Sequence, residues 1–122
     1  MDRAGATRSD DRGLRAARMA SLLIDDQLAE RRSIAEVVGW FAAMQGQDLA
    51  SAQWSLGLRT QTSRAEVIAA FDSGAILRTW PMRGTLHVVP GRDARWMLAH
   101  LGGRALAGAA RRREILGLST SD

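Results

Sequence analysis

The chain offers few side chains able to do covalent chemistry. It has no Cys, which removes disulfides, thiolate metal sites and a Cys nucleophile. Its two His, His87 and His100, are too few and too far apart in sequence to suggest a His-built metal site. What remains is a set of polar groups in suggestive places. Gln45 falls on an apolar helical stripe if the helix begun at Ser33 runs that far. Arg83, Thr85 and His87 alternate onto one face of a β-prone stretch. Residues 76–113 carry eight Arg against Asp93 alone, a local net charge of +7 within a chain whose net charge is +4. Such a segment is a footprint for phosphate and hence for nucleic acid. The rival is solvated helix surface in a chain that uses Arg for all 17 of its basic residues and Lys for none.

The elements that must position these groups follow from periodicity and caps. Residues 1–12 are polar, without period, and read as a flexible tail. Leu14–Leu23 reads as a helix and Asp25–Arg32 as a charged connection. Ser33-Ile34-Ala35-Glu36 is a capping box, and Ile34, Val37, Val38 and Phe41 follow at helical spacing. The same arithmetic, carried on to residue 45, buries the Gln45 amide, and that amide then needs partners because burying it unpaired costs about 1–3 kcal/mol. Asp48 can cap a second helix to about Leu58, with Leu49, Ala52 and Leu56 on one face. Ser63-Arg64-Ala65-Glu66 is a second capping box; its helix turns Val67, Ile68 and Phe71 inward and stops at Gly74.

The period then changes to two. Ile76–Trp80 and Met82–Val88 read as a ribbon turning near Pro81–Gly84, with Pro81 confined to an edge or a strand end. Ala94, Met97, Leu98 and Leu101 return to helical spacing, Gly102-Gly103 is expected to break or kink that helix, and His100 reads as a residue of its C-terminal end. A last helix carries Arg111–Arg113 and stops at Gly117, after which Ser119 and Asp122 look like the opening of another element. The four Trp, at 40, 54, 80 and 96, read as core or core-edge anchors.

Three short helices followed by a ribbon is the order of a winged helix, a helix-turn-helix with a wing. The expected fold class is therefore α+β, mostly α, with flanking helices. The third helix shows Ser63, Arg64, Glu66, Asp72 and Ser73, a poor set for reading bases in a major groove. Contact with nucleic acid is instead expected from Arg78 onward. No apolar run approaches the ~20 residues of a membrane span, and the chain reads as a cytoplasmic protein with no membrane partner.

Two blocks of residues resemble a known family. Met44-Gln45-Gly46-Gln47-Asp48-Leu49, continuing through Trp54-Ser55-Leu56-Gly57-Leu58-Arg59, is similar to the N-terminal part of the AlkZ/YcaQ-type winged-helix DNA glycosylases. Leu77-Arg78-Thr79-Trp80-Pro81-Met82-Arg83-Gly84-Thr85-Leu86-His87 resembles the family's strand-turn-strand segment ending in Thr-x-His. The likeness runs from about Leu14 to Leu118. Members are longer and stack several winged-helix units around a concave DNA-binding surface. The resemblance therefore implies that residues 13–116 are one such unit and that 117–122 begin the next, in an N-terminal fragment of a longer chain.

The resemblance also implies an activity: release of alkylated bases, including N7-alkylpurines, from duplex DNA by hydrolysis of the N-glycosidic bond. The family's catalytic Gln-x-Gln or Gln-x-Asp pair falls on Gln45 and Gln47, with Gly46 between them. Asp48 is an alternative base, although capping is its favoured role. Arg78 and Arg83 are the expected phosphate contacts, because guanidinium pairs bidentately with phosphate. Thr85 and His87 lie on the same expected DNA face, and an ordinary half-exposed strand histidine is the rival for His87. No cofactor or metal is implied, since this hydrolysis uses water alone. A non-catalytic winged-helix DNA-binding module and a protein-interaction domain are the alternatives from other classes.

Overall fold

The computed structural model describes residues 3–24 and 32–118. The elements run α1 (Arg3–Ser21), α2 (Ile34–Phe41), β1 (Met44–Gln45), α3 (Leu49–Thr60), α4 (Arg64–Asp72), β2 (Ile76–Met82), β3 (Thr85–Pro90), α5 (Gly91–Gly108) and α6 (Ala110–Ile115). The fold is α+β and mostly α, with one three-stranded antiparallel sheet in the order β1-β3-β2.

Local chemistry sets the helix starts as expected. Ser33 and Ser63 each accept from the N–H three residues on, at Glu36 and Glu66, and each glutamate returns to the serine N–H. Asp48 caps α3 by accepting from the Ser51 N–H at 2.6 Å. Helices α2, α3 and α4 then bury Ile34, Val37, Val38, Ala52, Leu56 and Val67 against Ile76 and Val88 of the sheet. Full burial of a side chain such as Leu56 contributes about 1.5–3 kcal/mol. The other sheet face is also covered, because Val89 packs against Ala94 and Met97 of α5. Ile68, expected inward, is 38% exposed.

The ribbon turns through Arg83 and Gly84, both with positive φ (52° and 69°), between the paired residues Met82 and Thr85. A two-residue turn of that hand matches the twist of its strands. Pro81 is tolerated because β2 is an edge strand whose pairing is irregular between Thr79 and Met82.

Several expectations are corrected. Helix α1 begins at Arg3, inside the stretch read as a flexible tail. That stretch contains no Pro, and an Arg15–Asp11 pair one turn apart (3.5 Å) supports the helix beyond it. Its C-terminal end is tied to the body by the Trp40 indole N–H on the Ser21 carbonyl (3.0 Å) and Arg59 Nε on the Leu22 carbonyl (2.9 Å). Helix α2 stops at Phe41, because Ala42 turns the chain at φ 59° and Met44 and Gln45 pair with Val88 and His87. Gln45 is therefore an exposed strand residue and not a buried helical one. Helix α5 runs through Gly102-Gly103 to Gly108, which places His100 within the helix and away from its end. Two helical glycines cost only about 1 kcal/mol each, and α5 packs along β2. The four Trp are 48–75% exposed, so none is a core anchor. Most of the charged connection at 25–32, and the element expected from Ser119, lie outside the described residues.

Candidate active site

The Gln45–Asp48 segment crosses the end of the sheet and is held to it at several points. Gln45 closes β1 opposite His87. The Gly46 N–H donates to the Leu86 carbonyl at 2.9 Å, and the Leu86 N–H donates to Gln47 Oε1 at 3.1 Å. Both backbone groups of Leu86 are thus taken by the segment. Gly46 is buried against β3. A Cβ there would sit 3.1 Å from Val88 N and 3.2 Å from both His87 C and Val88 Cγ2, so only glycine lets the backbone approach this closely without a shift. From the neighbouring strand, Arg78 donates through Nε to the Gly46 carbonyl (2.7 Å) and through Nη2 to the Gln47 carbonyl (2.9 Å).

Gln45 and Gln47 are both exposed and line one open groove with Asp48, Ser51, Ala52 and Ser55. The last four lie along one stripe at the N-terminal end of α3. The Ser51 N–H and hydroxyl hold the Asp48 carboxyl below the usual aspartate range, and the Arg78 charge adds to this. Asp48 is therefore an ionised cap and a weakened proton acceptor.

Of the remaining expected residues, His87 is the strand partner of Gln45, Thr85 directly precedes Leu86, and Arg83 sits in the ribbon turn. Arg83 and Thr85 are exposed at the ribbon tip, and Arg83 borders a second groove with His100 and Arg104. His87 is 8% exposed, with Nδ1 2.9 Å from the Thr85 carbonyl, on the face that α5 covers. It is more buried than the ordinary half-exposed strand histidine that stood as the rival to a DNA contact. The structure thus joins Gln45, Gln47, Asp48 and Arg78, with Thr85 and His87 flanking Leu86 on the adjoining strand, and leaves Arg83 at the ribbon turn beside the second groove. Sequence reasoning missed Ser51 and Ser55, which the 48-51-52-55 helical spacing from the cap could have indicated. Among the described residues, no cluster of His, Asp and Glu could hold a metal ion, and no helix is long and apolar enough to cross a membrane.

The structure is thus a mostly α, α+β protein with an exposed amide pair braced by an arginine from the adjacent ribbon. Residues 38–121 match the family of AlkZ-like DNA glycosylases, and the chain belongs to that family. The matched span includes Gln45–Asp48 and the whole ribbon. Membership relates the chain to DNA-repair glycosylases, whose substrate is DNA. No curated protein and no solved structure matches it at a significant level.

Proposed function

We propose that the chain is a DNA-binding winged-helix unit, centred on residues 13–116, that forms the N-terminal part of a monofunctional glycosylase removing alkylated bases from duplex DNA. The supporting observation is that Gln45 and Gln47 share one open groove while the neighbouring carboxylate, Asp48, is committed to capping α3.

An N7-alkylated purine is cationic and leaves readily, so no strong acid is needed. Water adds to the anomeric carbon, the C1′–N9 bond breaks, its electron pair neutralises the purine, and the water's proton passes to solvent. Two neutral amides can hold that water and face their dipoles toward an oxocarbenium-like transition state without the desolvation cost of a carboxylate. Gln47 Oε1 uses one lone pair on the Leu86 N–H and keeps the other for water.

The test is release of free N7-methylguanine from an alkylated duplex under single-turnover conditions, with none from unmodified DNA. The Gln47–Leu86 bond also suits a second reading, in which the amide is purely structural and the unit only binds. That reading gains if the duplex is bound without base release, with log affinity falling by about 0.9 per phosphate contacted as log salt rises.

Asp48 supplies a further expectation. Asp48→Asn retains base release and most of the helix stability, because Asn also caps well, whereas Asp48→Ala lowers the urea-unfolding midpoint. Its carboxyl has a lowered folded pKa, so its pH-dependent contribution is present above the ordinary aspartate pKa and is lost as pH falls through the lowered value. A collapse of base release in Asp48→Asn would make Asp48 the base.

A further inference from the structure

We propose that Arg78 is a positioning residue that fixes the aim of the Gln45 and Gln47 side chains, and is not chiefly a phosphate clamp. The proposal deepens the glycosylase reading and, for its catalytic part, rests on it.

Arg78 spans from β2 to the Gln45–Asp48 segment, more than thirty residues earlier in the chain, and its two bonds go to consecutive carbonyls, those of Gly46 and Gln47. One planar guanidinium holding consecutive carbonyls fixes the two peptide planes that meet at the Gln47 Cα, and so the direction in which that side chain leaves the backbone. On its other side the segment is held by the Gly46 N–H on the Leu86 carbonyl and by Gln47 Oε1 on the Leu86 N–H. The segment is thus clamped between β3 and Arg78. Remove Arg78 and the segment keeps its bonds to β3 and the Asp48 cap on α3, but the Gly46 and Gln47 carbonyls are released to water.

A buried glycine between two catalytic amides makes such a clamp necessary. Gly46 seats the backbone against Val88, yet glycine itself restrains φ and ψ least of any residue. A displacement of about 1 Å in a positioning group can cost on the order of 100-fold in rate. The guanidinium fork supplies the missing restraint, and an ammonium cannot, because it is a point charge without a planar pair of donors.

Two measurements on the same variants test this. The first is amide hydrogen exchange in the DNA-free protein. Arg78→Ala is expected to lose about tenfold or more of protection at Gly46 and Leu86 while Val37 and Leu56 keep theirs, as local opening requires. Unchanged protection at Gly46 and Leu86 overturns the proposal whether or not the protein turns over. The second is single-turnover base release against DNA affinity. Arg78→Ala is expected to slow release on the order of 10- to 100-fold with the dissociation constant and its salt slope unchanged, and Arg78→Lys to restore only part of the rate. Weaker binding with a salt slope reduced by about 0.9, at an unchanged rate in saturating protein, would assign Arg78 to a phosphate instead. If the wild-type chain releases no base, the glycosylase reading fails, and the exchange measurement alone decides whether Arg78 holds the segment.

Discussion

Replacing both Gln45 and Gln47 with Ala is expected to lower single-turnover release of N7-methylguanine by about 100-fold or more, the usual scale for losing groups that orient or polarise at the reacting centre. The protein should remain folded and bound to DNA. Gln45 contributes to the sheet through its backbone, opposite His87, and both side chains are exposed. The one bond lost is from the Leu86 N–H to Gln47 Oε1, worth about 1 kcal/mol, and water can replace it at that exposed position. If the two amides hold the same water, each single variant should already lose most of the rate, so the effects will not add. Undiminished release by the double variant, with DNA binding intact, removes both residues from the chemistry.

The two capping boxes and the Asp48 cap could be read from sequence because each is a contact over three residues, written wholly in local spacing. The end of α2 could not. Ile34, Val37, Val38 and Phe41 set a helical period that nothing local interrupts before Gly46. What ends the helix is a two-residue strand pairing with β3 some forty residues later, together with a positive φ at Ala42 that an Ala side chain does not announce. The exposed Trp residues misled for a related reason. Hydrophobicity says what favours burial, but the core was filled by Leu56, Ile76 and Val residues packed from both sheet and helix.

The site divides along the same line. Gln45, Gln47 and Asp48 lie within four residues, so the sequence could name them together, and the family resemblance gave two of them a role. Arg78 was legible only as a positive charge on a β-prone stretch. That it grips the Gly46 and Gln47 carbonyls depends on the β2–β3 register, which places Arg78 opposite Val88, itself the partner of Met44. His87 shows the converse. Strand alternation puts it on the face of Val89, but only tertiary packing, with Val89 against Ala94 and Met97 of α5, shows that this part of the face is closed and His87 buried.

That packing depends on Gly91, and Gly91→Ala is expected to be the most destabilising single-methyl change in the described structure. A Cβ on Gly91 would overlap the Gly74 carbonyl oxygen and crowd the Gly74 carbonyl carbon at 3.1 Å. Both are backbone atoms and cannot rotate away. Gly91 also donates its N–H to the Ala75 carbonyl at 2.9 Å, while the adjacent Pro90 pairs with Ile76. Relieving the overlap therefore means parting the start of α5 from the turn before β2, at the point where Ile76 enters the core. Overpacking of this kind costs about 1–3 kcal/mol when side chains can yield, and more when backbone must move. About 3 kcal/mol is a large share of the 5–15 kcal/mol typical of a domain, and corresponds to a melting temperature lowered by about 10 °C. Gly103→Ala is the matched control. It adds the same methyl group to the same helix, but nothing lies within 4 Å of the new atom. Helix propensity alone then acts, and the control should gain up to about 1 kcal/mol. Urea unfolding that moves both variants in the same direction would show that the junction yields more readily than its backbone contacts imply, and that Gly74 and Gly91 are not what hold α5 over His87 and Val89.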